Sequence, residues 1–149
     1  AARAIARLNA AGFPVIVVTN QSGIARGKFT EDAYHRVARR TEELLAQEGA
    51  SVEATYYCPH LPGKCVCRKP GLALFQRAIG EHRIDPAGSW WIGDKITDLI
   101  PAEALGGRGL LVETGEGPEH HAEAIAGGFG VTADLSAAVD LILSSAMTR

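Results

Sequence analysis

Short runs of consecutive apolar residues alternate along this chain with longer stretches in which apolar positions return every three or four residues. The first such stretch sets Ile5 and Leu8 on an Ala-rich background and stops at Gly12, which predicts an amphipathic helix with a glycine stop. Residues 13–19, Phe-Pro-Val-Ile-Val-Val-Thr, form a β-branched run that fits a strand buried on both faces. Thr30 is placed to cap a helix reaching Gln47, with Glu31 and Asp32 on the favourable side of its dipole and Gly49 after its end. Residues 52–57 predict a second strand, 72–82 a helix and 89–92 a third strand. Gly93 and Asp94 turn the chain into a helix reaching Leu105. Residues 109–112 predict a fourth strand, and helices over 121–126 and 136–145 follow.

Strands separated by helices predict an α/β fold with a parallel sheet, right-handed crossovers and helices on both faces. Ligands of such sheets bind beyond the carboxyl ends of the strands. Functional groups are therefore expected just after Val18, Tyr57, Ile92 and Val112, and the unusual residues of the chain lie there.

Composition narrows the classes. A length of 149 residues predicts one domain, 1–149, able to bury roughly 70% of its unfolded surface. A formal charge of −2 gives no general attraction to nucleic acid or to anionic membrane. No apolar run reaches the roughly 18 residues of a membrane span. The opening residues read as a helix, not a secretory signal, and the missing initiator Met sets the expectation of a start inside a longer chain. Three cysteines, all between Cys58 and Cys67, make a poor disulfide framework and point to a reduced compartment, hence the cytoplasm.

Four segments carry candidate chemistry. Residues 19–27, Thr-Asn-Gln-Ser-Gly-Ile-Ala-Arg-Gly, offer a hydroxyl, two amides and flexible glycines whose N–H groups can wrap an oxyanion; a polar strand-to-helix turn is the plainer reading. The spacing is not that of a Walker A loop. Cys58-Pro59-His60 and Cys65-Val66-Cys67 bring three thiols and an imidazole within ten residues, a set that suits a closed, structural Zn²⁺ site over 58–67. Arg68 and Lys69 follow at once, either a phosphate-binding pair or a solvated one. Asp94 and Asp98 after the third strand suit Mg²⁺, or else cap a helix, with Asp94 at the N-cap and Asp98 in the first turn. His120 and His121 read as a solvated helix start, and Trp90 and Trp91 as packing residues.

In this order the segments TNQSGIARG, Cys-x-His…Cys-x-Cys-Arg-Lys-Pro, GDKITD and LLVETGEG resemble motifs two to four of the haloacid dehalogenase (HAD) superfamily of phosphatases. They are most similar to its zinc-loop branch, which acts on heptose bisphosphate or histidinol phosphate. The resemblance runs from Ala1 to about Gly117. It implies a HAD-like Rossmannoid three-layer sandwich with a mostly parallel sheet. It implies that Thr19 hydrogen-bonds the transferring phosphoryl group while Asn20, Gln21 and Ser22 help hold substrate. Lys69 neutralises phosphate charge, Arg68 recognises substrate beside it, and Lys95 contacts substrate. Asp94 binds catalytic Mg²⁺ with Asp98 in support, and Cys58, His60, Cys65 and Cys67 bind Zn²⁺.

The chain departs from the family in three places. Leu72-Ala73 stands where a Pro-Gly is usual, and Pro101 lies early in the helix after Asp98, a position that bends helices. The family's first, central strand ends in Asp-x-Asp, the nucleophile and the acid–base, and no Asp-x-Asp occurs in this sequence. Loss of a βα unit would leave unpaired edges in mid-sheet, so the expectation is a truncated chain that is inactive as it stands. For the intact protein the resemblance implies release of the 7-phosphate of heptose 1,7-bisphosphate, on the route to lipopolysaccharide heptose. Histidinol phosphate and a non-catalytic phospho-ligand module are the alternatives. The expected partner is a small phosphorylated sugar, with no nucleic acid and no membrane, and the expected state is a monomer.

Overall fold

A computed structural model of the chain describes residues 1–147, which gather into two compact units, one ending at Ala78 and one beginning at Ile79. Parallel strands joined by helices run through both, the expected α/β class.

The first unit contains α1 (Ala2–Ala10), β1 (Ile16–Asn20), α2 (Ser22–Ala25), α3 (Glu31–Gln47), β2 (Ala54–Cys58) and the start of α4 (Ala73–His82). β1 and β2 pair in parallel from Ile16 opposite Ala54 to Asn20 opposite Cys58. Alternate residues of both strands, Ile16, Val18, Ala54, Tyr56 and Cys58, pack with Leu74 and Ala78 of α4 into one cluster. A pleated strand sends its other residues to the opposite face. Val17 there is 36% exposed and Ile16 and Val18 are partly buried, so β1 is partly covered on one face and open on the other, not buried on both as expected. α3 explains the difference. The Thr30 hydroxyl accepts from the Ala33 N–H at 3.0 Å, as predicted for its cap, yet no residue of α3 is fully buried. An open hollow of ≈ 440 Å³ is lined by Tyr34, His35 and Ala38 of α3 and by Thr55 and Tyr57 of β2. α2, one turn inside the predicted loop, is an element that hydrophobic spacing does not reveal.

The second unit contains the rest of α4, a 3₁₀ turn (Pro86–Gly88), β3 (Trp90–Gly93), α5 (Ile96–Leu105), β4 (Arg108–Val112), α6 (Gly117–Ala126), β5 (Gly130–Thr132) and α7 (Leu135–Met147). β4 lies between β3 and β5, parallel to both. Leu110, Leu111 and Val112 are all buried, so this strand is covered on both faces. Leu111 meets Leu99 of α5 and Ala124 of α6, and Ile96, Phe129 and Val131 pack around them. Pro101 sits inside α5 without ending it and is itself buried. Trp91 is buried, and Trp90 lies beneath the Arg108 guanidinium at 5.0 Å. No described helix is long and apolar enough to cross a membrane.

Leu111 is 0% exposed at the centre of the second unit. Leu111→Ala is expected to cost about 2–5 kcal/mol by leaving a cavity against Leu99 and Ala124. Urea unfolding is the check: the midpoint falls while the slope stays the same.

Candidate functional site

Cys58 is the last residue of β2 and fully buried, which fixes one sulfur at a strand end. The chain then loops back. Cys67 Sγ comes to 3.1 Å from Cys58 Sγ and 3.2 Å from Cys65 Sγ, and Cys58 and Cys65 are 3.3 Å apart. His60 Nδ1 lies 3.5 Å from Cys58 Sγ and 3.3 Å from Cys67 Sγ. All four ligand atoms fall within 4.8 Å of one another. A tetrahedral ion with arms of about 2.3 Å asks for ligand separations near 3.8 Å. The tetrad therefore fits a small thiophilic cation after a slight outward shift of its sulfurs.

Proton affinities in the cluster are uneven. Burial opposes ionisation of Cys65, but hydrogen bonds from the Cys67 and Cys58 thiols, then from the Arg68 and Cys67 N–H groups, outweigh it and bring its pKa down to about 6. Burial pushes Cys67 up, and its hydrogen bonding to Cys58 and Cys65 and their charge take it to about 12. Three adjacent thiolates are mutually repulsive, and a divalent cation is what lets them coexist.

The residues after the tetrad are tied back to β1. Lys69 N–H donates to Asn20 Oδ1 at 3.1 Å, and Lys69 Nζ donates to the Val18 carbonyl at 2.9 Å. Gln21 Nε2 donates to Thr19 Oγ1 at 3.0 Å. Gln21 N–H donates to the Cys58 carbonyl at 2.7 Å, and Ala25 N–H to the Pro59 carbonyl at 3.2 Å. Thr19, Asn20, Gln21 and Lys69 thus form one hydrogen-bonded junction, and Ser22 opens α2 beside it. Gly71 N–H closes a turn on the Arg68 carbonyl at 2.8 Å, and a Cβ at this position would lie 2.6 Å from the Val66 carbonyl oxygen. Only glycine allows the arm that turn. Arg68 Nη1 is buried without a hydrogen-bond partner, a donor that calls for an acceptor such as an anionic oxygen.

The second unit carries the remaining candidates at the carboxyl end of β3. Lys95, not Asp94, is the N-cap of α5, which corrects the capping alternative for Asp94. Asp98 Oδ2 accepts from Lys95 N–H at 3.2 Å, as a first-turn acid does. Asp94 Oδ2 instead accepts from Glu116 N–H at 3.0 Å. A Cβ at Gly115, whose φ is +57°, would lie 2.4 Å from that same oxygen, so glycine there is required twice over. Lys95 Nζ pairs with Glu116 Oε2 at 2.9 Å, with half of each side chain exposed. Hydrogen bonding to Glu116 raises the Lys95 pKa; burial works against this, and the charges of Glu116, Asp94 and Asp98 reinforce it. Asp94 and Asp98 both follow the end of β3, and carboxylate oxygens are the ligand type a hard divalent cation takes.

Glu116 was given no role by sequence reasoning, although it lies in the LLVETGEG segment; its only signal is a second acid soon after a strand end. His120 is bound and not merely solvated, since its Nδ1 accepts from Ile96 N–H at 3.2 Å. His121 lies 3.5 Å from Glu113.

A family model described as HAD-hydrolase-like matches residues 66–138. The D-glycero-beta-D-manno-heptose-1,7-bisphosphate 7-phosphatase of Haemophilus ducreyi is 37% identical, over 96% of this chain and 76% of the relative. The protein of the same name from Pseudomonas aeruginosa is 42% identical, over 94% of this chain and 79% of its own. The crystal structure of D,D-heptose 1,7-bisphosphate phosphatase from B. bronchiseptica, complexed with magnesium and phosphate, aligns with a TM-score of 0.90 at 36% identity, covering 97% of this chain and 82% of that one.

The tetrad predicts tight binding of a single thiophilic divalent ion per chain. Cys58→Ser should bring the bound ion close to zero by elemental analysis and lower the unfolding temperature, and chelation of the unaltered protein should do the same. An undiminished metal content in Cys58→Ser would contradict the four-ligand arrangement.

Proposed function

The chain belongs to the HAD-like hydrolases, among the heptose-1,7-bisphosphate 7-phosphatases, and on that premise we propose that it serves to remove the 7-phosphate of D-glycero-D-manno-heptose 1,7-bisphosphate. The junction of the Thr19 loop with Lys69 carries this reading, because it sets a hydroxyl, an amide and a cation at one strand end.

Phosphoryl transfer asks the protein for positioning and charge stabilisation more than for covalent chemistry. Thr19 holds the transferring group through its hydroxyl. Lys69 offsets the charge that develops on phosphate oxygens, and its bonds to Val18 and Asn20 hold it in place at little reorganisation cost. Asn20, Gln21 and Ser22 hold substrate. Arg68 supplies a second cation, and its partnerless buried nitrogen fits a role toward an anionic sugar phosphate. Lys95 adds a substrate contact from the end of β3. Asp94, with Asp98 in support, is the carboxylate to hold Mg²⁺, which supplies neutralisation of phosphate charge when bound. The tetrad holds Zn²⁺ in a structural role: four protein ligands leave no position for a reacting water.

The attacking carboxylate and the acid–base of this chemistry belong to an Asp-x-Asp strand, and no Asp-x-Asp occurs among the 149 residues. In this reading residues 1–149 supply binding and charge, and the nucleophile motif is not among them. This favours a second reading for these residues alone, a non-catalytic module that binds phosphorylated ligands. The zinc loop and the Cys-Arg-Lys-Pro junction also admit histidinol phosphate as the substrate. Free cysteines and the substrate class support a cytoplasmic protein in lipopolysaccharide precursor synthesis acting on a small sugar phosphate, and a monomer is part of the same proposal.

Turnover separates these readings. The complete gene product is expected to show kcat/KM for heptose 1,7-bisphosphate at least about tenfold above that for histidinol phosphate. Residues 1–149 alone should show no Mg²⁺-dependent turnover above background. A preference for histidinol phosphate would overturn the substrate, and robust turnover by the 149 residues would overturn the missing-nucleophile argument.

A further inference from the structure

We propose that the Cys58–His60–Cys65–Cys67 tetrad is a peroxide-sensitive modification site, at which two-electron oxidation joins Cys58 to Cys67 and expels the bound zinc. The proposal rests on the zinc reading of the tetrad. Its basis is the geometry of the sulfurs. Cys58 Sγ and Cys67 Sγ are 3.1 Å apart and open to about 3.8 Å around an ion, so a disulfide of about 2.05 Å needs each to move by less than about 1 Å.

Distance, access and connectivity select this pair, and Cys58 lies closer to Cys67, at 3.1 Å, than to Cys65, at 3.3 Å. Cys58 is 0% exposed at a strand end, whereas Cys65 and Cys67 are only partly buried and His60 is exposed. Peroxide therefore reaches Cys67 more readily than Cys58. Cys65 and Cys67 are nearly as close, at 3.2 Å, but a bond between them closes a ring through the single residue Val66. A Cys58–Cys67 bond closes a loop already folded back with its ends together, so it demands little of the backbone.

The chemistry balances without a further reactant. Cys67, deprotonated as a metal-ligating cysteine must be, attacks hydrogen peroxide through its sulfur; an S–O bond forms, the O–O bond breaks and hydroxide leaves. The Cys58 thiolate then attacks the Cys67 sulfenic sulfur, an S–S bond forms, the S–O bond breaks and a second hydroxide leaves. Both hydroxides take protons from solvent. Two thiolates have lost two electrons and peroxide has gained two. Only His60 and Cys65 remain as ligands, too few to retain zinc against water. Cys67 stays tied to the end of β2, so Arg68 and Lys69 keep a staple, now covalent, and a dithiol reductant with zinc restores the first state.

The test uses the protein with its natural metal. Zinc content is measured first, and a value near zero overturns the zinc reading; thiol pairing is then still read on its own. The protein is treated with hydrogen peroxide, alkylated under denaturing conditions and mapped by peptide mass. Zinc release in step with a Cys58–Cys67-linked peptide, with Cys65 alone alkylated, supports the proposal. Cys65→Ser is expected to keep that linkage and Cys67→Ser to lose it. Sulfinic or sulfonic acids without a Cys58–Cys67 link, or a dominant link through Cys65, would overturn it.

Discussion

Cys58 holds two loops at once. Its thiol enters the metal-ligand tetrad and its carbonyl accepts the Gln21 N–H at 2.7 Å. The first interaction fixes where the chain returns from the Cys-rich loop, and with it Arg68 and Lys69. The second fixes where the chain leaves β1, and with it Thr19 and Asn20. Both depend on Cys58 being buried in parallel register opposite Asn20, which the apolar cluster beneath the strands enforces. Strand packing thus becomes placement of a hydroxyl, an amide and a cation.

A metal held by the tetrad would take a task that apolar burial does not perform in this part of the molecule. Residues 59–71 contain three prolines and two glycines, and Val66 is 81% exposed. α3 adds no buried residue to the first unit. A loop so poor in buried surface would not order itself against chain entropy, and metal coordination offsets that cost directly. The second unit works differently. Leu99, Leu111 and Ala124 are completely buried, and a conventional core carries Asp94 and Lys95 at the end of β3.

Much of this was legible in the sequence because it depends on spacing. The quartet of ligands, the cations directly after it, the capped α3 and the order of the motifs are all written in consecutive residues. What escaped depends on tertiary neighbours or on very short elements. β5 has three residues, and α2 is one turn inside a loop, both below the length at which periodicity signals anything. Glu116 acquires its place only because its backbone meets Asp94, 22 residues away in sequence. The exposure of Val17 is likewise a matter of what covers the sheet, and a β-branched run reads the same whether one face is covered or two.

Backbone amide exchange tests most directly whether a metal at the tetrad holds the Arg68–Lys69 arm against β1. Lys69 N–H is bonded to Asn20 Oδ1 and Gln21 N–H to the Cys58 carbonyl, so both amides report on the junction. Removing the ion with a chelator should speed exchange at Lys69 and Gln21 by at least about tenfold while Leu111, in the core of the second unit, is unchanged. Equal protection of Lys69 and Gln21 with and without metal would contradict the account.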